Sequence, residues 1–295
     1  MKSISTVINV CGSDNERFFS QCLQSVSNQT VVSLEVIISV DGEIPDGLEM
    51  LISQFEESAK SPVKVLRSTT SQGLWAARNR AIETAIGDWI LVQDADDISH
   101  PQRTEILQSW PTEKNTAVIG TSMLEFHSNS ERVVSVRTVP LTAVAIARKL
   151  KINSPMNHPT VLLRRSALLK VGLYRNIYLM EDFDLWVRLI DSRFSLLNLD
   201  LPLVAFRLDD GLYARRGGIR FLEAEFQMGM RLWRSKHLNF ATLSRFLTMR
   251  TLYRLLPSFA RKFAHHRYLS RDLSAKQSGD LNEYLAQDFR NSMDN

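Results

Sequence analysis

The first hundred residues alternate between two hydrophobic patterns, and this alternation limits the possible folds more than any other feature. Short β-branched runs are typical of strands, whereas apolar residues spaced three and four positions apart are typical of amphipathic helices. The pattern predicts seven elements: Ile4–Val10, Glu16–Gln29, Leu34–Val40, Leu48–Ala59, Val63–Arg67, Leu74–Ile86 and Trp89–Gln93. Strands that alternate with helices form a mostly parallel sheet with helices on both faces. We therefore predict an α/β fold.

The rest of the chain has a less regular pattern. Further strands and helices are predicted at Ala117–Gly120, Val133–Val139, Thr142–Lys151, Thr160–Leu163, Ser166–Val171 and Asp182–Asp191. Residues 209–218 contain three glycines and the adjacent Arg215 and Arg216, which favours a loop. Beyond this loop the pattern is helical to the end, so we expect a helical C-terminal extension.

Three acidic residues follow the fourth predicted strand directly. Asp94, Asp96 and Asp97 lie within GDWILVQDADDISHP, which ends at Pro101. Carboxylates this close repel one another unless a cation offsets their charge, and Mg²⁺ takes such ligands together with substrate phosphates and water. The cluster therefore predicts either a site for a metal-bound diphosphate or a polar turn whose acids cap a helix ahead of Pro101.

Two other acids lie at positions that suit a binding crevice. Asp41 ends the second predicted strand, and ligands of parallel α/β sheets bind beyond the carboxyl ends of strands, where Asp94 also lies. Asp182 follows Glu181 at the start of a predicted helix. A carboxylate at that place predicts either a general base for a hydroxyl nucleophile or an ordinary helix N-cap.

Several common classes of protein lose their main support. The first strand runs into Cys11-Gly12-Ser13-Asp14 rather than Gly-x-Gly-x-x-Gly, and no P-loop segment occurs. The chain has two cysteines, Cys11 and Cys22, which are too few for a disulfide framework. This low number indicates a reducing cytoplasm. Residues 1–10 are too short and polar for a signal peptide, and no run approaches the roughly 18 apolar residues of a membrane span.

Basic residues concentrate near the end of the chain. Residues 226–271 contain ten lysines and arginines and no acid, and because the whole chain carries +4, the remainder is net acidic. A helix with a kink at Pro257 is predicted over Met249–Phe263. Its arginines fall on the face opposite to its apolar residues; they are Arg250, Arg254 and Arg261.

Two arrangements fit this basic segment. Its helices can lie on an anionic membrane surface, or they can pack their apolar face on the rest of the protein and leave the arginines in water. No nucleic-acid recognition module accompanies the charge, so we expect no nucleic-acid partner.

Five segments, read together, resemble the inverting glycosyltransferases of family 2, which have the GT-A fold. They are FFSQCLQSVSNQT, LEVIISVDG, SQGLWAARNRAIETAIGDWILVQDADDISHPQR, NHPTVLLRRSALLKVGLY and MEDFDLWVRL. They follow the family's order over about the first two-thirds of the chain. The resemblance implies a Rossmann-like sheet and a catalytic domain at 1–220, with a nucleotide-binding part at about 1–115 and an acceptor part at about 116–220. A basic helical extension at 221–295 would follow.

On the donor side, the resemblance implies that five residues hold a nucleotide-sugar. Asp41 would contact the base, and Arg78 the nucleotide or its diphosphate. Asp94 and Asp96 would form the Asp-x-Asp pair that binds Mn²⁺ or Mg²⁺. Asp96 would be the main metal ligand, with Asp97 in support.

On the acceptor side, the resemblance implies that Asp182 is the catalytic base, which removes the proton of the acceptor hydroxyl as it attacks the anomeric carbon. Glu181 and His158 would lie near the acceptor, although His158 also fits a strand-edge histidine with a local hydrogen bond. Arg215 and Arg216 would close over the phosphates or remain a solvated loop.

Two departures from the family pattern affect the base pocket. Cys11-Gly12-Ser13-Asp14 stands where the family has Pro-x-Tyr-Asn, and Val40-Asp41-Gly42 stands where it has Asp-Asp-Gly. The resemblance implies sugar transfer, with UDP as the default donor nucleotide, to a saccharide or lipid-linked acceptor in bacterial surface polysaccharide or glycolipid synthesis. The protein would be cytoplasmic, at the inner face of the cell membrane. The alternative is a catalytically impaired relative that binds sugar nucleotides as a regulatory subunit.

Overall fold

The predicted alternation of strands and helices is present in the computed structural model, which describes residues 1–128, 132–208, 219–255, 271–272 and 280–289. The first elements are β1 (Ile4–Cys11), α1 (Glu16–Ser27), β2 (Glu35–Asp41), α2 (Asp46–Ser58), β3 (Val63–Ser68), α3 (Leu74–Thr84) and β4 (Trp89–Asp94). These four strands are parallel, in the order β3-β2-β1-β4. Their carboxyl ends therefore lie at one edge of the sheet.

Beyond β4 the sheet contains strands of both directions. The remaining strands are β5 (Ile98–Ser99), β6 (Thr116–His127), β7 (Val133–Arg137), β8 (Leu162–Arg164), β9 (Ser195–Leu208) and β10 (Arg271–Asp272). β8 runs antiparallel between β4 and β6, while β9 runs parallel to β6 and also pairs with β5. The remaining helices are α4 (Arg103–Ser109), α5 (Ala143–Leu150), α6 (Arg165–Val171), α7 (Glu181–Asp191), α8 (Ile219–Arg234), α9 (Phe240–Leu255) and α10 (Leu281–Leu285).

The central strands β6 and β9 differ most from the sequence prediction. β6 continues well past Gly120 because polar side chains inside it are buried and bonded; the hydroxyl of Ser122, for example, donates to Asp200 at 2.8 Å. β9 was not predicted, since Asp200 and Pro202 interrupt its apolar run. Proline removes a backbone donor from a strand, and the β6–β9 register shifts beside Pro202.

Two apolar clusters cover opposite faces of the parallel strands. Successive strand residues point to opposite faces. Val7 and Ile37 belong to one cluster, which includes residues of α3 and α5 to α9, whereas Ile8 and Ile38 belong to another, which includes residues of α1 and α2. The sheet therefore lies between helical layers, as the alternating pattern predicts.

The C-terminal helices pack with a different face from the predicted one. In α9, Arg250 and Arg254 contact the buried carboxylate of Glu225 in α8, at 2.7 and 2.6 Å. Met249 and Leu252 of α9 are exposed. Of the two arrangements, the one in which the arginines face water and the apolar residues pack inward is therefore wrong for Arg250 and Arg254, while Pro257 and Arg261 lie outside the described residues. The buried charge of Glu225 explains the reversal, because it requires cationic partners.

The last part of the chain is not helical throughout, which corrects the prediction of helix to the end. β10 pairs antiparallel with β7, a strand that would otherwise expose unpaired backbone groups. The hydroxyl of Tyr284 donates to the carbonyl of Pro202, and the Gln102 amide donates to Asp288 at 2.7 Å. Residues 280–289 thus return to the sheet. Among the described helices, none combines the length and apolar composition that crossing a bilayer requires.

Candidate active site

Two predicted site residues lie on either side of β1, at the carboxyl edge of the parallel strands. In the strand register, Cys11 pairs with Asp41 of β2, and Asn9 pairs with Asp94 of β4. The side-chain amide of Asn9 is buried, and among the described residues neither of its polar atoms has a hydrogen-bond partner. β1 therefore forms the floor between the two acids.

The three acids after β4 have different surroundings. The side chain of Asp94 is about a quarter exposed. Burial, together with the charge of Asp94, raises the pKa of Asp96 to about 6. Asp97 is fully buried, and its Oδ1 accepts a hydrogen bond from the backbone N–H of Arg207 at 2.9 Å. Burial raises the pKa of Asp97 well above its usual range. Asp97 therefore points into the protein, while Asp94 and Asp96 remain as the candidate ligands.

Arg207 of β9 holds the acidic turn, which consists of residues 94–97, from the protein interior. Its Nε donates to the carbonyl of Asp96 at 2.8 Å, and its Nη2 donates to Gln21 at 2.6 Å. The guanidinium lies over the rings of Phe18 and Phe126, 4.0 and 4.6 Å from their centroids. The sequence carried no signal for this residue, because its strand was not predicted.

Arg103 of α4 is a second buried support for the same turn. Its Nη1 donates to Gln93 at 3.0 Å and to Ser99 at 2.8 Å, and its Nη2 donates to the carbonyls of Val92 and Pro159 at 2.8 and 2.9 Å. Burial lowers the pKa of Arg103 to about 10, and the carboxylate of Asp97 opposes this effect. Arg103 is the last residue of the segment SQGLWAARNRAIETAIGDWILVQDADDISHPQR, and the family resemblance implies no role for it.

Asp41 is bound to the loop that leads into α3. Its Oδ1 accepts from the N–H of Gln72 at 2.8 Å, and its Oδ2 accepts from the hydroxyl of Ser71 and the N–H of Gly73 at 2.8 and 2.9 Å. Gly73 has φ +95°, which glycine adopts without strain. Asp41 thus fixes the start of the helix that carries Arg78. Its contact with a nucleotide base stays a prediction.

Arg78 connects the acidic turn to α7. Its Nη1 lies 2.8 Å from Oε1 of Glu181, and its Nη2 lies 3.3 Å from Oδ1 of Asp94. Its guanidinium lies 5.5 Å from the centroid of the Tyr174 ring. Burial lowers the pKa of Arg78, but the charges of Asp94 and Glu181 outweigh this and raise it overall. Arg78 therefore brings Asp94 of the predicted donor side next to Glu181 of the predicted acceptor side.

Asp182 lies in the first turn of α7, where the helix dipole favours negative charge. The alternative role as an N-cap is wrong, because the N-cap residue is Met180 and Asp182 lies inside the helix. Asp182 is half-buried, and its charge acts on both Arg78 and Tyr174. Asp182 therefore lies near Arg78 and Tyr174, and its role as catalytic base stays a prediction.

His158 lies behind Tyr174. Its Nε2 is 2.9 Å from the Tyr174 hydroxyl, and its ring lies 6.1 Å from that of Trp186. Although part of the residue is exposed, burial of the ring and the charge of Arg78 lower the pKa of His158 well below its usual range. This neutral ring supports Tyr174, and a contact with an acceptor stays a prediction. Arg215 and Arg216 lie outside the described residues.

A divalent cation would have two carboxylates at this site. Within the described part of the chain, no three or more histidine, cysteine or acidic side chains cluster as a metal site. Mg²⁺ usually takes only one or two protein carboxylates and completes its shell with phosphate oxygens and water. Asp94 and Asp96 fit that pattern in number and kind, because Asp97 is buried and bonded to the backbone of Arg207.

Comparisons with known proteins agree with this geometry. Residues 5–172, more than half of the chain, match the family model described as glycosyl transferase family 2. An uncharacterized glycosyltransferase of Haemophilus influenzae is 30% identical over 76% of this chain and 83% of that protein. The UDP-Gal:alpha-D-GlcNAc-diphosphoundecaprenol beta-1,3-galactosyltransferase of Escherichia coli is 28% identical over 88% of this chain and 94% of that protein.

Solved structures show the same fold. Residues 1–349 of TarS from S. aureus, in complex with UDP-GlcNAc, align with a TM-score of 0.62 over 91% of this chain and 76% of that chain, at 18% identity. The fold is therefore the GT-A fold expected from the sequence, with a helical C-terminal part. Together with the family model and the 30% identical relative, this shows that the chain belongs to glycosyl transferase family 2.

Proposed function

We propose that this protein transfers a sugar from a UDP-sugar to a hydroxyl of a lipid-linked saccharide, with inversion at the anomeric carbon. The observation that carries the proposal is the contact of Arg78 with both Asp94 and Glu181, because it joins the acidic turn to the helix of Asp182. The Escherichia coli relative, named for a UDP-sugar and a diphosphoundecaprenol-linked acceptor, supports this donor and this acceptor class. The product would serve bacterial surface polysaccharide or glycolipid synthesis.

The donor end of the crevice suits a sugar diphosphate. Asp94 and Asp96 would hold Mn²⁺ or Mg²⁺, and Arg78 would place a second positive charge beside the phosphates. When bound, the ion would offset the charge that builds up on the departing diphosphate. Asp97, Arg207 and the other buried contacts of the turn keep its carboxylates in place.

The acceptor end suits proton removal. Asp182 would accept the proton of the acceptor hydroxyl as its oxygen attacks the anomeric carbon from the side opposite the diphosphate. A positioned general base contributes about 10²–10⁴-fold to such a step. Attack opposite the leaving group inverts the configuration at that carbon.

A donor screen tests this proposal. UDP-, GDP- and dTDP-sugars are incubated with the protein and Mn²⁺, and sugar release is measured. We expect hydrolysis of UDP-sugars, a marked loss in Asp182→Asn, and unchanged UDP binding in that variant by calorimetry. Preferential use of a GDP- or dTDP-sugar would overturn the choice of UDP, and wild-type turnover by Asp182→Asn would overturn the choice of base.

The second candidate function, a binding subunit without catalysis, is motivated by the altered turn after β1. There Asp14 accepts a hydrogen bond from the backbone N–H of Cys11 at 2.8 Å, so its carboxylate is used within the turn. The contact of Arg78 with Asp94 and with Glu181, the neighbour of Asp182, supports catalysis. UDP binding without hydrolysis of any donor would favour the binding subunit instead.

A lipid-linked acceptor would place the protein at the inner face of the cell membrane. The α8–α9 pair supports this part of the proposal, because Phe226, Trp233 and Phe240 are exposed there and Arg234 and Lys236 lie nearby in the chain. Exposed aromatic residues with basic neighbours are typical of membrane-surface helices.

Co-sedimentation with vesicles tests the membrane contact. We expect binding to anionic vesicles at low salt, weaker binding to neutral vesicles, and loss of binding in Trp233→Ser. Ile86→Ser, at an exposed apolar residue elsewhere, is the matched control. Equal binding by wild type and Trp233→Ser, or no binding to anionic vesicles, contradicts this contact.

A further inference from the structure

The guanidinium of Arg78 is held between two unequal carboxylates. Glu181 is the closer partner, at 2.8 Å against 3.3 Å for Asp94, and its side chain is the more buried, with 14% exposed against 26%. Arg78 itself is only 4% exposed. The guanidinium therefore has little freedom, and its position depends on both acids.

The other contacts of Arg78 form a fixed seat beneath it. The Tyr174 ring lies under the guanidinium, and the side chain of Asn79 binds both the N–H and the carbonyl of Tyr174, at 2.9 and 2.8 Å. The Tyr174 hydroxyl contacts His158. Because two hydrogen bonds from Asn79 fix the backbone of Tyr174, the position of the guanidinium above the ring depends on the two carboxylates.

The charge balance gives Glu181 a specific effect on the donor site. With both carboxylates present, one guanidinium leaves an excess of negative charge in the crevice, which favours a cation at Asp94. Without the Glu181 charge, Arg78 would pair with Asp94 alone and compete with any cation for its oxygens. Opposite charges a few ångströms apart in a partly buried site interact strongly enough for such competition to matter.

We propose that Glu181 is a positioning residue of the donor site, which acts through Arg78. Its carboxylate holds the guanidinium away from Asp94, so that Asp94 remains available to a divalent cation and Arg78 faces the diphosphate. This role differs from the acceptor contact that the sequence suggested for Glu181. The inference rests on the proposed function, because it assumes a nucleoside diphosphate and a cation at the acidic turn.

Calorimetric binding of UDP in the presence of Mn²⁺ tests this role. We expect Glu181→Gln to weaken UDP binding about tenfold, as the loss of a charged hydrogen-bond partner would, and to raise the Mn²⁺ concentration needed for half-maximal binding. In an Arg78→Lys background the same substitution should add little, because two residues that act through one contact are non-additive.

The control is Glu83→Gln, the same change at an exposed residue of α3, which should bind UDP like wild type. Wild-type affinity in Glu181→Gln, additive effects in the double variant, or a loss of affinity matched by a fall in melting temperature would each overturn the positioning role. If the wild type binds none of UDP, GDP and dTDP with Mn²⁺, the proposed function fails, and this inference fails with it.

Discussion

Arg207 shows how a single side chain can define a site that it does not enter. Its guanidinium lies between two aromatic rings and holds the backbone of Asp96, while its own N–H holds the carboxyl of Asp97. Arginine suits this place because its planar group stacks on rings and donates in fixed directions. The geometry of the acidic turn therefore depends on a residue more than a hundred positions away.

Replacing Arg207 by lysine should destabilise the protein. Lysine keeps the charge but has neither the flat face nor the forked donors, so we expect a loss of about 2 kcal/mol in the free energy of unfolding, together with weaker UDP binding. Urea unfolding and calorimetry measure the two effects. Arg234→Lys, at an exposed residue of α8, is the control. An unchanged unfolding midpoint in Arg207→Lys would contradict the supporting role.

At the scale of elements, the segment 280–289 acts as a strap across the turn that follows β5. His100 is buried there between Tyr284 and Phe289, with ring centroids 5.2 and 4.7 Å away. Its Nδ1 accepts a hydrogen bond from the N–H of Gln102 at 3.2 Å. Burial lowers the pKa of His100 to about 4, and the backbone groups of Gln287 and Tyr284, followed by the charge of Asp288, oppose this only in part.

The strap should therefore weaken in acid. The unfolded chain protonates His100 near pH 6.5, whereas the folded chain resists protonation until about pH 4, so stability falls as pH decreases through this window. Between pH 6.5 and 5 we expect a loss of about 1–2 kcal/mol from this residue, after allowance for partial solvent screening. Urea unfolding at several pH values measures it. His100→Gln keeps an acceptor but does not titrate, and a pH profile identical to that of wild type would refute the assignment.

At the scale of the whole molecule, Glu225 joins α8 to α9, and Arg250 joins α9 to the segment that follows α5. Its carboxylate binds Arg250 and Arg254, and Arg250 also donates to the carbonyl of Ile152 at 2.6 Å. Removing one partner of a buried ion pair leaves the others uncompensated.

We therefore expect Glu225→Gln to lower the free energy of unfolding by about 3 kcal/mol. Chemical unfolding provides the measurement, and Glu223→Gln, two positions earlier on the exposed side of α8, provides the control. If the two variants unfold at the same denaturant concentration, the α8–α9 pair is not held by this charge.

The sequence predicted the parallel half of the molecule well, because there each helix has one buried face with helical spacing and each strand is a short, mostly apolar run. It predicted that Asp41 and Asp94 would lie at one edge, since parallel strands end together. It missed β9, where buried polar residues and Pro202 break the period, and with it Arg207. It also misjudged the direction of Arg250, because helical spacing shows which residues share a face but not that a buried Glu225 attracts the basic one.

The pairing of β5 with β9 has a consequence for the order in which the protein is made. Ile98 pairs with Ala205, so the turn that carries Asp96 is closed by residues synthesised about a hundred positions later. At typical rates of translation this delay is on the order of ten seconds. The acidic motif of the nascent chain is therefore synthesised long before β9 and Arg207, which hold it in its folded conformation. A ribosome-bound or truncated chain that ends before β9 would contain the whole acidic motif but would not form the site.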